Sequence, residues 1–385
     1  MNDYTPGEAR CQNLSPVART TIGQPAPVSP GNSPKGEVAG VTETRTAHAT
    51  APGMLKAPFP WFGGKFRASH RVWTRLGDCP NYVEPFFGSG AVLLGRPHPP
   101  QIETVNDMDG FICNFYRAIQ HDPEQTAHYA DAPVNECDIH ARHIWLLNRR
   151  ADLTARLEGD PDYYDAKIAG WWVWGICCWI GSGWCSGNGP LQSVDGKMTN
   201  AGKNGTKRQR PHLGDAGQGV NRNRPQLGGH QLSQDGVGTI NSNIDIYAWF
   251  DALSARLRRV RVCCGNWSRV MGPSVTFRHG LTGVFLDPPY SAEAGRDMGL
   301  YAVDCGKIAH EAKEWAISNG ENPLLRIALC GYEGEHAMPG SWECVPWKTH
   351  GGMSNQGNGP GRDNKFRERV WFSPHCLKSD QGRLF

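Results

Sequence analysis

The chain has 385 residues and a formal net charge of +3, long enough for one large or two medium domains around a real hydrophobic core. So even a balance does not by itself announce a nucleic-acid partner, and leaves that signal to local clusters. The 13 cysteines include no CxxC spacing, which argues against zinc ribbons and redox motifs and sets the expectation of no metal. An odd cysteine count without a secretory signal fits a reducing cytoplasm, the expected location.

Residues 1–53 are rich in Pro, Gly, Thr, Ala and Ser and lack a hydrophobic period. Such a composition cannot offset chain entropy, so a disordered tail is expected there. Soon after it comes "PFPWFGGKFR", with Trp61 able to stack on a ring and Lys65 carrying a positive charge. Taken alone this reads as a glycine turn with a surface lysine.

From "NYVEPFFGSGAVLLG" to "IETVND" the order is strand, glycine turn, apolar segment, strand. That alternation predicts an α/β unit with parallel strands. The turn "EPFFGSG" holds Glu84, Pro85, Phe86, Gly88 and Gly90, and its glycines permit positive φ and close approach of backbone to a ligand. Its spacing is not GxGxxG, which argues against an ordinary dinucleotide site. Asp107 follows at the end of the next strand, where a carboxylate can accept from both hydroxyls of a ribose. Turn and acid together point to a nucleoside cofactor.

"FICNFYRAI" has helical spacing, with Phe111, Phe115 and Ile119 on one face, and residues 121–165 read as further helices. The run "IAGWWVWGICCWIG" is shorter than the roughly 20 residues a bilayer requires, so a buried helix and no membrane span are expected. Its tryptophans Trp171, Trp172, Trp174 and Trp179 are read as core.

Residues 186–245 are rich in Gly, Asn, Gln and Arg and contain the near-repeat "RQRPHLG" and "RNRPQLG". Lys203, Lys207, Arg208, Arg210, Arg222 and Arg224 cluster there, with Asp215 the only acid among them. Such a cluster can meet DNA phosphates or read guanine edges through arginine forks; a solvated surface loop is the competing reading. Strands then return with "VRVCCG", "GVFLD" and "LLRIALCG", and "RERVWFSP" is expected to close the sheet. "RLRRVRV" alternates with apolar residues and reads as a helix end followed by a strand. The glycine-rich stretch before "RERVWF" reads as a mobile loop.

The most specific string is "LDPPY", Asp287, Pro288, Pro289 and Tyr290, directly after an apolar strand. Proline lacks an N–H and fixes φ, so the Pro-Pro step ends strand pairing and holds the backbone extended. The Asp287 carboxylate and the Pro288 carbonyl can then converge as two acceptors on a planar exocyclic amine. Tyr290 adds a flat face against which a base can stack.

In this order the three motifs resemble the DNA adenine-N6 methyltransferases of the Dam type, the D12 class of bacteria and phages, over most of residues 54–374. The resemblance implies a Rossmann-like sheet, S-adenosylmethionine as cofactor, and a target-recognition region inserted before the DPPY strand. It places Trp61 and Lys65 near cofactor and active-site pocket, Phe86, Gly88 and Gly90 in the cofactor turn, Asp107 on the ribose, and Asp287 to Tyr290 in the catalytic loop. Where that family has an aspartate bonding the cofactor's adenine amine, this chain has Asn266, whose amide oxygen can still accept.

The implied layout is a tail over 1–53, a cofactor-binding part over 54–120, a helical and loop-rich target-recognition insertion over 121–245, a second catalytic part over 246–376, and a short tail over 377–385. DNA is the expected partner of a monomer or weak dimer. An N4-cytosine or RNA-base methyltransferase would need the same geometry, and a DNA-binding protein that has lost catalysis is the rival from another class.

Overall fold

The computed structural model describes residues 55–61, 65–160, 162–179, 184–186, 191–194, 197–200, 246–290, 307–347 and 367–378. The expected N-terminal tail, the six basic residues between 203 and 224, and the loop expected before the last strand lie outside them.

The expected α/β architecture is what the chain forms. A seven-stranded sheet has the order β5-β2-β1-β6-β7-β9-β8, built from β1 (Asn81–Glu84), β2 (Ile102–Asp107), β5 (Arg261–Cys264), β6 (Thr282–Leu286), β7 (Leu325–Tyr332), β8 (Glu343–Pro346) and β9 (Glu368–Phe372). The pairs of β1 with β2 and β6, of β2 with β5, and of β6 with β7 are parallel, whereas β9 runs antiparallel to both β7 and β8. A separate antiparallel pair, β3 (Leu191–Val194) and β4 (Lys197–Asn200), lies in the polar central stretch.

One expectation needs correcting. The strand "RERVWF" does not close the sheet; β8 lies outside it. β8 is four residues long, mostly exposed, and ends at Pro346. A short edge strand with a proline carries almost no apolar signal, because only one of its edges has to be paired.

Both faces of the sheet are covered, which explains why its central strands are continuous apolar runs. In β6 every residue is buried: Phe285 packs into one core, Val284 and Leu286 into the other. In β7 Leu325, Ile327 and Leu329 point one way, Ala328 and Cys330 the other. The alternation is the period of a strand. α9 (Ile308–Asn319) contributes Ala312 and Ala316 to the second core.

The first core is larger. α1 (Phe66–Leu76), α3 (Gly110–His121), α7 (Ala166–Cys178) and α8 (Ile246–Leu257) all contribute to it. Phe111, Phe115 and Ile119 are fully buried on α3, as their spacing predicts. The apolar run is α7, with Trp172 and Trp174 essentially inaccessible, Trp179 buried just beyond its end, and Trp171 partly exposed. Asp165 caps α7 by accepting from the Ile168 amide at 2.8 Å, a favourable use of a short acid at a helix start. Asn114 of α3 fixes that cap, donating to the Asp165 carbonyl and accepting from its amide, each at 2.9 Å. Between α3 and α7 run α4 (Pro123–Ala130), α5 (Glu136–Leu147) and α6 (Arg150–Gly159).

"RLRRVRV" does become a helix end and a strand. Arg256, near the end of α8, grips the buried Glu103 of β2 with bonds of 2.7 and 2.9 Å, and Arg96 adds one at 3.1 Å. A bidentate guanidinium satisfies the carboxylate it buries, and so the chain is tied back to β2 after the central stretch.

Candidate active site

The chain leaves β1 for β2 on one side, and β6 returns on the other, so the sheet changes direction at β1. Crevices that bind ligands form beyond the carboxyl ends of parallel strands at such a point. Here the ends of β1, β2, β5 and β6 open into one cleft, lined among others by Gly88, Asp107, Gly265 and Asp287.

The floor is the turn after β1. Gly88 and Gly90 have φ of +49° and +68°, a region that residues with a Cβ avoid. Space forbids a side chain too: a Cβ on Gly88 would stand 2.5 Å from the Trp61 indole nitrogen. We therefore expect Gly88→Ala to lower the unfolding free energy by roughly 1–3 kcal/mol, combining backbone strain with displacement of Trp61. Urea titration checks this, and a midpoint equal to the wild type would mean the turn is not so constrained. Gly90 ends the turn and opens the short α2 (Ala91–Leu94).

Asp107 is held rigidly. Oδ2 accepts from the Gly88 amide and Oδ1 from the Asp109 amide, both at 2.9 Å. Burial pushes its carboxyl up to about 6, against the pull of those backbone donors. Asn106 next to it is buried and donates to the carbonyls of Pro85 and Gly265, at 3.2 and 2.9 Å, pinning the ends of β1 and β5 together. Glu84 is buried at the end of β1. Burial raises its carboxyl well above the usual range, although the Tyr82 hydroxyl donates to it at 2.9 Å.

The opposite wall is the DPPY segment. Asp287 Oδ1 lies 2.9 Å from Lys65 Nζ, with the lysine 6% and the aspartate 19% exposed. Lys65 also donates to the Tyr290 hydroxyl at 3.1 Å, and that hydroxyl donates to Glu368 at 2.7 Å. Burial works against the Lys65 ammonium, but Asp287 and Glu368 together hold it above the usual lysine range. Burial likewise raises the Asp287 carboxyl, and Lys65 pulls it back. The result is a buried ammonium paired with Asp287 and linked to Glu368 through the Tyr290 hydroxyl, backed by the Trp347 ring 5.4 Å away.

Of the residues that the sequence put forward, Trp61, Lys65, Glu84, Pro85, Phe86, Gly88, Asp107, Asp287 and Pro289 line this cleft. Lys65 is not a surface lysine, as "GGK" alone would suggest. Gly90, Pro288, Tyr290 and Asn266 are not among the lining residues. Asn266 caps a short 3-10 turn: its Oδ1 accepts from the Ser268 amide and hydroxyl, at 3.0 and 2.7 Å. Its neighbours Gly265 and Trp267 reach the cleft instead, Trp267 stacked on Phe86 with centroids 5.6 Å apart. Tyr290 is buried with its ring packed edge-on to Tyr332, 4.6 Å between centroids, and Lys65 Nζ lies 5.3 Å from its ring centre.

Residues 61–142 match the family model of the D12 class N6 adenine-specific DNA methyltransferases. Over that stretch the chain is similar to the D12 class. A DNA N-6-adenine-methyltransferase of Escherichia phage P1 is 33% identical over 64 residues, which are 17% of this chain and 8% of that protein. The D12 match takes in Trp61, Lys65, the glycine turn and Asp107, and it ends before the DPPY segment. The geometry, independently of that match, brings Asp287 to the same cleft.

Sequence reading missed Glu368. A signal existed: in "ERVWF" Glu368, Val370 and Phe372 share one face of a strand, and an acid in register with two core residues is costly unless it is paired. Glu368 is 4% exposed, and Val370 and Phe372 are in the core.

Proposed function

We propose that this protein transfers a methyl group from S-adenosylmethionine to the N6 amine of adenine in DNA. The observation that carries this reading is one cleft lined together by the Gly88 turn, Asp107 and Asp287. The residues fit the cofactor. Gly88 leaves room where any Cβ would collide with Trp61, Asp107 offers a fixed carboxylate for ribose hydroxyls, and Trp61, Phe86 and Trp267 supply aromatic surface.

S-adenosylmethionine, when bound, supplies the methyl group on a sulfonium that is already a strong electrophile. The protein's part is then to bind, orient and polarise. Asp287 accepts a hydrogen of the amine, which draws the nitrogen lone pair out of ring conjugation and directs it. The methyl would pass to nitrogen as its bond to sulfur breaks and sulfur keeps the electron pair as a thioether; the amine, then acidic, would give its proton to Asp287 before it passes to water. Lys65 keeps Asp287 anchored by one oxygen. An adenine in duplex DNA has to leave the stack to reach such a cleft, at a cost of a few kcal/mol. The basic residues Lys203, Lys207, Arg208, Arg210, Arg222 and Arg224 are proposed to hold the phosphates.

Asp107 gives this reading a pH signature. A carboxylate accepting from hydroxyls favours its ionised form, and here that form is lost as pH falls through about 6. Cofactor affinity is therefore expected to be level above that pH and to fall by up to about tenfold per unit below it. Asp107→Asn should bind weakly at all pH values and without that slope. Calorimetric titration at several pH values reads both, and a wild-type affinity independent of pH between 5 and 8 would remove Asp107 from the cofactor site.

The test of the function is expression in a host free of DNA methylation, followed by mapping of modified bases. The reading predicts N6-methyladenine at one recurring short sequence. Genomic DNA without modified adenine would overturn it.

A further inference from the structure

Glu368 stands in the wall behind Asp287, linked to it through Tyr290. The Tyr290 hydroxyl is 2.7 Å from Glu368 Oε2 and 3.4 Å from Asp287 Oδ1, and it accepts from Lys65 at 3.1 Å. A phenol has one proton to give. The shorter contact is within the range of an O–H···O hydrogen bond and the longer one is outside it. The proton therefore points at Glu368, and Asp287, which accepts from Lys65 at Oδ1, is not asked to accept from the phenol as well.

We infer that Glu368 is a positioning residue: by engaging the proton of Tyr290 it keeps that donor off Asp287, whose oxygens beyond the Lys65 bond then stay open to the amine. Its effect on catalysis rests on the function proposed above; its effect on Asp287 does not.

The groups that face these two carboxyls come from several elements. Lys65 before α1, Tyr290, Cys330 on β7 and Glu84 on β1 surround Asp287. Lys65, Tyr290, Asp287 and Glu335 surround Glu368, with Tyr332 beside it and Arg367 over the Tyr332 ring. Replacing Glu368 by glutamine changes two things among them. A negative charge near Asp287 disappears, and the new amide can donate to the phenol oxygen, which turns the phenol proton toward Asp287. Both changes lower the proton affinity of Asp287, and a less basic oxygen is a weaker acceptor.

The test is carboxyl carbon NMR titration of the full chain, with Asp287 assigned by its loss in Asp287→Asn. In Glu368→Gln the Asp287 carboxyl should titrate at lower pH than in the wild type. On a Tyr290→Phe background that displacement should shrink to its through-space part. In methyl transfer, Glu368→Gln should lose about tenfold in kcat, the worth of one charge-assisted hydrogen bond, with KM for DNA and cofactor unchanged. Added to Tyr290→Phe it should cost under about twofold, because residues that act as one unit are not additive.

An Asp287 titration unmoved by Glu368→Gln, or moved equally on both backgrounds, would overturn the inference. So would equal kcat losses on both. If the wild type transfers no methyl group to any DNA, the proposed function fails while the titrations still decide the role of Glu368. Should Glu368→Gln not fold, Glu368→Asp retains the charge but shortens the reach, and it still predicts a lower Asp287 titration.

Discussion

Asp287→Asn is expected to reduce kcat for methyl transfer by about 10³-fold, in the range found when one preorganised polar group is removed from a reacting centre. The substitution preserves shape, so the loss comes from hydrogen-bond chemistry. Lys65 Nζ sits 2.9 Å from Oδ1, and an ammonium can only donate. In the variant the amide oxygen therefore turns to Lys65 and the amide NH2 faces the cleft. A donor then meets the hydrogens of the amine, where a carboxylate oxygen stood. Cofactor affinity should change little, since Asp107 and the Gly88 turn are untouched. DNA binding should also persist, measured by gel shift at fixed salt. Asp287→Ala would test less, because it leaves the buried ammonium beside a cavity and mixes instability into the rate. A variant that keeps wild-type kcat would remove Asp287 from the chemistry.

The second large effect is on stability. Lys65→Met should cost about 3–5 kcal/mol near neutral pH, the usual penalty for leaving one side of a buried ion pair alone. The lysine is 6% exposed, pairs with Asp287 and feels the charge of Glu368, and Glu84 is buried on the neighbouring strand end. Without the ammonium, the carboxyls of Asp287 and Glu368 rise further above their ordinary values, where burial has already put them. The sign of the pH dependence follows. The folded variant retains protons that the unfolded chain gives up above about pH 4, so its stability falls as pH rises from there through the raised folded values. Urea unfolding should show a larger deficit against the wild type at pH 8 than at pH 5. Equal deficits at both would mean that packing of the lysine stem, not charge, is what the site loses.

Much of this molecule was legible because its signals are local. Parallel strands buried on both faces are runs such as "GVFL", and the turn that follows β1 needs glycine at Gly88 whatever the rest of the chain does. DPPY is legible for the same reason: two prolines must end a strand, and the carboxylate before them must sit at its end. What stayed hidden depends on partners distant in sequence. Lys65 reads as a surface residue until Asp287, over two hundred positions later, is brought to 2.9 Å. Glu368 reads as one more charge in "RERVWF" until pairing of β9 with β7 sets it behind Tyr290. Asn266 shows a local competitor that composition does not weigh: Ser268 two residues on offers an amide and a hydroxyl within reach, and short polar side chains readily take such local partners. The edge strand β8 escaped notice because an exposed strand of four residues has no apolar period to read.

The oxygens of Asp287 are proposed to hold a ring-bound amine within a cleft shared with the cofactor. The most direct measurement incubates the purified chain with unmodified DNA and methyl-labelled S-adenosylmethionine, then digests the DNA to nucleosides. Label is expected in N6-methyl-2′-deoxyadenosine with the wild type, and a loss of about 10³-fold with Asp287→Asn. Label found only in N4-methylcytosine, or equal labelling by both proteins, would contradict it.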